Sequence, residues 1–435
     1  MTDLLTRRSS ELYAQALALL PGGVNSPVRA MRAIGRDPIF IASGSGSRLT
    51  DVDGNEYVDW VCSWGPLVLG HAHREVVAAV AAAAARGTSY GAPTEGEVQL
   101  AAEIAARIPS VEMLRMTSSG TEATMSAIRL ARAVTGRELV LKFAGAYHGH
   151  VDGLLAQAGS GLATQGIPSS PGVPAAAASA TVIVPWNDAD ALREATERHQ
   201  FAALIAEPIP ANMGVVPPAP GFLALLRERA DANSALLILD EVISGFRVAR
   251  GGAQELLGVS ADLTILGKIA GGGLPAAAFG GSRELLTRVA PAGDVYQAGT
   301  LSGNPLAVAA ALVTLRALDS EAYVRLARVT EALAAGLREA AASAGRELVV
   351  QSAPGLLTPF FTKRIGKGAT ESVTNYAQAA ACDQAAYGAW CRELLARGVY
   401  PPASQFEAWF PSLAHTDADL ARTVQAAAAA FEAIS

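Results

Sequence analysis

Two stretches decide how this sequence folds: Leu236-Leu237-Ile238-Leu239-Asp240-Glu241, and then Leu263-Thr264-Ile265-Leu266-Gly267-Lys268-Ile269-Ala270-Gly271-Gly272-Gly273. Each begins as a short, almost continuous apolar run, the pattern of a strand covered on both faces. The first ends in two carboxylates and the second in a lysine followed by a glycine cluster. Ligands in open α/β sheets bind beyond the carboxyl ends of the strands, so both endings sit where a buried acid and an amine can act. Asp240 and Lys268 are 28 residues apart, enough for one crossover between neighbouring parallel strands. A lysine at that place is partly desolvated, which lowers its basicity and favours Schiff-base chemistry. On their own the two residues also fit blander roles, a strand-end aspartate capping a turn and a lysine reaching out to solvent. The glycines do not form a Walker loop, because Ile269 stands where Ser or Thr would ligate magnesium.

Working outward, further apolar runs at Glu112 to Met116, Leu139 to Phe143, Thr181 to Val184 and Ala203 to Ala206 alternate with helical patterns, among them Thr121 to Ala133 and Phe222 to Ala232. This alternation predicts an α/β domain over residues 76–319 with a mostly parallel sheet under helices. Met116-Thr117-Ser118-Ser119-Gly120-Thr121-Glu122-Ala123 reads as strand, small-residue turn and helix start, which suits a phosphate and equally suits an ordinary N-cap. Before this domain, an opening helix near Ser9-Ser10-Glu11 stops at Pro21-Gly22-Gly23. A hairpin follows, turning at Asp53-Gly54 with positive backbone dihedrals. After it come a long helix from Ser320 to Ala344, strands at Glu347 to Gln351 and Leu357 to Thr362, and two closing helices. Residues 1–75 and 320–435 are expected to join as a second, smaller α/β domain. No internal repeat is visible.

The chain has 435 residues, 51% of them hydrophobic, and a net charge of −6. That is ample for a large core, and it offers no electrostatic footprint for nucleic acid or an anionic membrane. Its three cysteines, Cys62, Cys382 and Cys391, allow neither a disulfide framework nor a four-cysteine zinc site. No apolar segment follows Arg7-Arg8 as in a secretory leader, and Val77 to Ala85 is too short to span a bilayer, so a cytoplasmic small-molecule enzyme is the expectation. The alanine runs at Ala78 to Ala85 and Ala426 to Ala430 read as helix. His148 with His150, or His71 with His73, lacks a third ligand at a recognisable spacing, and no metal site is expected.

Taken in order, phosphate cradle, strand-end acid and strand-end lysine resemble the class III, fold-type I aminotransferases, which use pyridoxal 5'-phosphate. Gly22-Gly23-Val24-Asn25-Ser26-Pro27-Val28-Arg29, Ser63-Trp64-Gly65-Pro66, Ala158-Gly159-Ser160-Gly161-Leu162-Ala163-Thr164, Gly299-Thr300-Leu301-Ser302-Gly303-Asn304-Pro305 and Ser404-Gln405-Phe406-Glu407-Ala408 narrow the resemblance to the glutamate-1-semialdehyde aminomutase family. It runs from about Gly22 to His415. The resemblance implies that Lys268 carries the cofactor and moves protons, and that Asp240 holds the pyridine nitrogen protonated. Ser119, Gly120, Thr121, Tyr147 and Asn212 would complete the cofactor site, with Thr300 reaching the phosphate of the neighbouring subunit in a homodimer. Arg29, Ser26, Trp64, Ser160 and Glu407 would face the substrate, Arg29 through the two parallel donors that suit a carboxylate.

The implied reaction converts glutamate-1-semialdehyde to 5-aminolevulinate through a bound diamine, using the pyridoxamine and pyridoxal forms in turn, early in tetrapyrrole synthesis. Ala158 to Pro174, rich in Gly, Ser and Pro, reads as a mobile loop suited to retaining that diamine. Ser118 stands where the family often has Asn, Ser244 where it has Thr, and Trp409 where Gly is frequent; Trp409 is expected near the mouth of the site. The rival readings are an external-acceptor ω-aminotransferase of the same fold and a non-catalytic module that kept the cofactor site.

Overall fold

The computed structural model describes residues 5–157, 164–165, 167–362 and 372–434. Its largest sheet runs, in spatial order, Met113–Thr117, Ala277–Gly281, Leu263–Leu266, Leu236–Asp240, Ala203–Ala206, Val140–Phe143, Thr181–Val184 and Thr164–Gln165. The five strands from Leu263–Leu266 to Thr181–Val184 pair in parallel. All four residues of Val140–Phe143, Thr181–Val184, Ala203–Ala206 and Leu263–Leu266 are buried, which is why these strands appear in sequence as unbroken apolar runs. Their boundaries lie within about one residue of the expected ones.

Ala277–Gly281 was not legible in advance. It is antiparallel to both neighbours, and its Ala-Ala-Phe-Gly-Gly sequence lacks the β-branched residues that mark a strand. Small residues are required there: a Cβ on Gly281 would lie 2.3 Å from the Asp262 carbonyl oxygen. In the register, Asp240 is opposite Ile265, so Asp240 and Lys268 emerge together beyond the carboxyl edge of adjacent strands.

The opening helix, Arg7–Leu19, begins two residues earlier than expected. The hairpin pairs Arg48–Asp51 with Glu56–Asp59, and a further strand, Ile41–Ser45, lies on its outer side. Of the turn residues Asp53 and Gly54, only Gly54 has a positive φ (+90°). The Asp51 carboxylate organises this turn instead, accepting from the amides of Asp53 (3.0 Å) and Asn55 (2.8 Å). Val399–Tyr400 adds to the same sheet in parallel with Glu56–Asp59, so the two ends of the chain meet. Helices Ser320–Ser343, Gln384–Ala396 and Asp417–Ala433 cover that region, with a short helix, Tyr376–Ala381, beyond the two closing helices expected. Met31, Tyr57 and Trp60 from one end share a core with Leu333, Trp390, Trp409 and Phe431 from the other.

Trp409 departs from expectation. It is fully buried, with its ring 5.7 Å from Trp390 and 6.3 Å from Trp60, so it fills the core and not the mouth of the site. Reciprocal backbone hydrogen bonds with Leu357, at 2.8 and 3.2 Å, hold it there. This large aromatic therefore acts through packing.

His415 stacks on Trp60 at 3.9 Å, takes the Ser412 amide on Nδ1 and donates from Nε2 to the Asp59 carbonyl. This fixes a neutral tautomer, and burial pushes its pKa down from 6.5 to about 4. As pH falls from 6.5 toward 4 the unfolded chain takes up a proton at this histidine that the fold refuses, so the fold loses stability across that window. Thermal unfolding measured from pH 7 to pH 4 should show a shallower decline for His415→Gln than for the native protein, from a lower starting point. Parallel declines would contradict this.

Candidate active site

The edge where Asp240 and Lys268 emerge opens into a cavity of about 950 Å³. Asp240 is buried; its Oδ1 accepts from the Val242 amide (3.1 Å), and its Oδ2 faces Nδ1 of the buried His148 at 2.8 Å. Lys268 opens the turn Lys268–Gly271 in a left-handed conformation (φ +50°), and its Nζ donates to the Trp64 carbonyl at 2.9 Å. Burial lowers the basicity of this amine, as does Arg247, while Glu407, Glu207 and Asp240 raise it.

The helix Gly120–Thr135 points its N-terminus into the same cavity. Ser119 caps it: its Oγ accepts from the Glu122 amide, while the Glu122 carboxylate takes the amides of Ser118 (2.7 Å) and Ser119 (3.0 Å). Among the described residues nothing accepts from the amides of Gly120 and Thr121. A Cβ on Gly120 would come within 3.1 Å of Val242, so a side chain there would crowd the floor of the cradle. Two unused amides at the positive end of a 16-residue helix form an anion site.

Ser26, Trp64, Ser119, Gly120, Thr121, Tyr147, Asn212, Asp240, Lys268 and Glu407 all line this cavity. Arg29 lines an adjoining cavity of about 460 Å³, with Val28 and Trp64 in the walls of both. It is exposed and, among the described residues, makes no ion pair. Thr300 is also exposed and does not line this chain's cavity. Ser160 and the 158–163 part of the glycine-rich segment lie outside the described residues.

Two residues that line the cavity were missed in the sequence as members of the site. Glu207 follows the strand Ala203–Ala206 as Asp240 ends its own strand, so the logic that found Asp240 applies to it. It accepts from the amides of Tyr147 (2.9 Å) and Ala211 (3.0 Å) and from the Asn212 side chain (2.9 Å), and burial pushes its carboxyl upward. Asn212 thus orients an acid. His148, weighed beforehand only as a metal ligand, backs Asp240, and its buried Nε2 has no partner among the described residues. Ser244 donates to Glu241 at 2.8 Å, inside a buried network that caps the helix Gly252–Leu257 and stays out of the cavity.

The aminotransferase class-III family profile matches residues 31–380. The chain belongs to this family. Within it, the chain is 54% identical over 432 residues to the glutamate-1-semialdehyde 2,1-aminomutase of Roseiflexus castenholzii, covering 99% of this chain and 98% of the relative. It is 53% identical over 424 residues to the enzyme of the same name from Desulfitobacterium hafniense, covering 97% of each. Among solved structures, an ω-transaminase from Sphaerobacter thermophilus superposes with a TM-score of 0.89 at 33% identity, covering 98% of this chain and 97% of that one. A glutamate-1-semialdehyde aminomutase variant from Pseudomonas aeruginosa, in complex with PMP, superposes with a TM-score of 0.87 at 27% identity, covering 99% and 95%.

Class-III aminotransferases use pyridoxal phosphate, and the residues present fit it: free amides for the phosphate, a buried carboxylate for the ring nitrogen, and a lysine amine lining the same cavity. Backbone similarity alone does not separate aminomutase from transaminase, since structures of both kinds superpose about equally well.

Proposed function

We propose that this protein acts as a glutamate-1-semialdehyde 2,1-aminomutase, converting (S)-4-amino-5-oxopentanoate to 5-aminolevulinate for tetrapyrrole synthesis. The observation that carries the reading is identity of 52–54% over nearly the whole chain with relatives of that name. Bound pyridoxal phosphate, alternating with its pyridoxamine form, supplies the electron sink and the amine exchange. Among the described residues no helix is long and apolar enough to cross a membrane.

The chain's own residues have distinct tasks. Lys268 anchors the cofactor and, once its amine is free, carries the proton between substrate carbon and cofactor. Asp240 keeps the ring nitrogen protonated, with His148 fixing the carboxylate from behind. The Gly120 and Thr121 amides would hold the phosphate, Tyr147 would pack against the ring, and Asn212 steadies Glu207 in the same cavity. Arg29 grips the substrate carboxylate across the wall shared by the two cavities, while Ser26, Trp64 and Glu407 shape the space around the reacting amines.

The site would be completed in a homodimer: Thr300, exposed and outside the lining of its own cavity, would reach the partner's phosphate. Exposed Tyr296 and Leu301 beside it supply apolar surface for that contact. Residues 1–75 and 320–435 form the smaller domain and 76–319 the cofactor-binding one.

Arg29→Ala should weaken binding of the carboxylate substrate by about 2–5 kcal/mol, with guanidinium and carboxylate desolvated together, and leave the cofactor's absorbance unchanged. Unaltered affinity for carboxylate analogues would remove Arg29 from the site. The overall reading is tested by comparing kcat/KM for glutamate-1-semialdehyde with that for an ω-amine supplied with a 2-oxo acid. The aminomutase reading requires the former to dominate, and a dominant ω-amine reaction would overturn it.

A further inference from the structure

Arg247 is a fully buried cation that the reaction outlined above does not use. It is 1% exposed, and among the described residues no carboxylate pairs with it. Its partners are main-chain carbonyls from three separate segments: Nη1 donates to Gly355 (3.2 Å) and Pro411 (3.3 Å), and Nη2 to Gly65. The guanidinium carbon lies 5.1 Å from the centroid of the Phe410 ring, and Lys268 Nζ lies 5.9 Å from the same centroid.

The segment carrying Gly65 has an unusual backbone. Cys62, Ser63, Trp64 and Gly65 all have positive φ, from +46° to +107°, a run that non-glycine residues adopt at a cost. At Gly65 a Cβ would lie 2.8 Å from Phe410, so the approach to ring and guanidinium requires glycine. The conformation leaves two successive carbonyls held by the two cations, Trp64 by Lys268 and Gly65 by Arg247.

We propose that Arg247 is a positioning residue for Lys268: it fixes the Trp64–Gly65 carbonyls on which the lysine rests, and it holds a buried positive charge at the aromatic ring the lysine also approaches. The proposal rests on Lys268 being the cofactor lysine. A second cation at this range disfavours the ammonium and so keeps the amine available for Schiff-base formation. Glu407, Glu207 and Asp240 work the other way, and burial works with Arg247. The Phe410 ring, whose negative face attracts either cation, moderates the repulsion between them.

The test reads the amine directly. In the full-length protein loaded with pyridoxamine phosphate, Lys268 carries a free amine, and its reductive methylation is followed across pH by peptide mass spectrometry. Arg247→Gln should move the lysine's titration upward by about one pH unit, the low end of the effect of one nearby charge. Arg247→Lys, which keeps the charge, should titrate close to the native protein. Phe410→Leu should move the titration downward, because the ammonium loses its ring contact. An unmoved titration in folded Arg247→Gln, or an Arg247→Lys shift as large as that of Arg247→Gln, overturns the proposal. If Arg247→Gln does not fold, Phe410→Leu decides, and an unmoved lysine there overturns it equally. None of these outcomes depends on turnover, so failure here is distinct from failure of the cofactor assignment.

Discussion

Lys268→Ala should lose the visible absorbance of lysine-bound cofactor and nearly all turnover. The loss of turnover should reach at least about 10²- to 10⁴-fold, the range contributed by a positioned proton-transfer group, because anchor and proton carrier are the same side chain. Among the described residues no other lysine lines the cavity. Lys142, also buried, spends its amine on the Leu154 carbonyl at 3.1 Å and does not line the cavity. The variant should still bind pyridoxal phosphate non-covalently, since the Gly120 and Thr121 amides and Asp240 are untouched. Borohydride treatment followed by peptide mapping checks the assignment. A reducible Schiff base persisting in the variant would place the cofactor on another lysine.

Asp240→Ala should remain folded and lose activity by about 10²-fold or more, a loss typical of removing one buried electrostatic contact that acts on the reacting system. Two effects coincide there. The ring nitrogen loses the anion that keeps it protonated, and His148 loses its only partner among the described residues while remaining buried. Asp240→Asn keeps the shape and removes the charge, so it should be nearly as impaired in turnover and less impaired in thermal stability than Asp240→Ala. Near-native turnover in either variant would remove Asp240 from the chemistry.

What the sequence made legible follows from the physics of each element. The parallel strands were readable because burial on both faces demands unbroken apolar runs, and Asp240 and Lys268 were readable because each interrupts such a run at its carboxyl end. Ala277–Gly281 escaped because close approach of its neighbours demands small residues, which carry no strand signature. Glu207 was overlooked although it directly follows the strand Ala203–Ala206. His148 was noticed for the wrong chemistry, since its bond to Asp240 spans 92 residues and leaves no local trace. Trp409 was misplaced because its bridge to Leu357, which turns it into the core, spans 52 residues and leaves no local trace. Arg247 had no sequence signal at all, as its partners are carbonyls far away in the chain.

In the proposed reaction the amino group is moved within one substrate skeleton, with no outside acceptor. The most direct measurement supplies purified, cofactor-loaded protein with glutamate-1-semialdehyde alone and counts 5-aminolevulinate formed per active site. An aminomutase should give many turnovers without any added 2-oxo acid, and no increase when one is supplied. A reaction that stops after about one equivalent and resumes only on addition of a 2-oxo acid would contradict it and establish an external-acceptor transaminase.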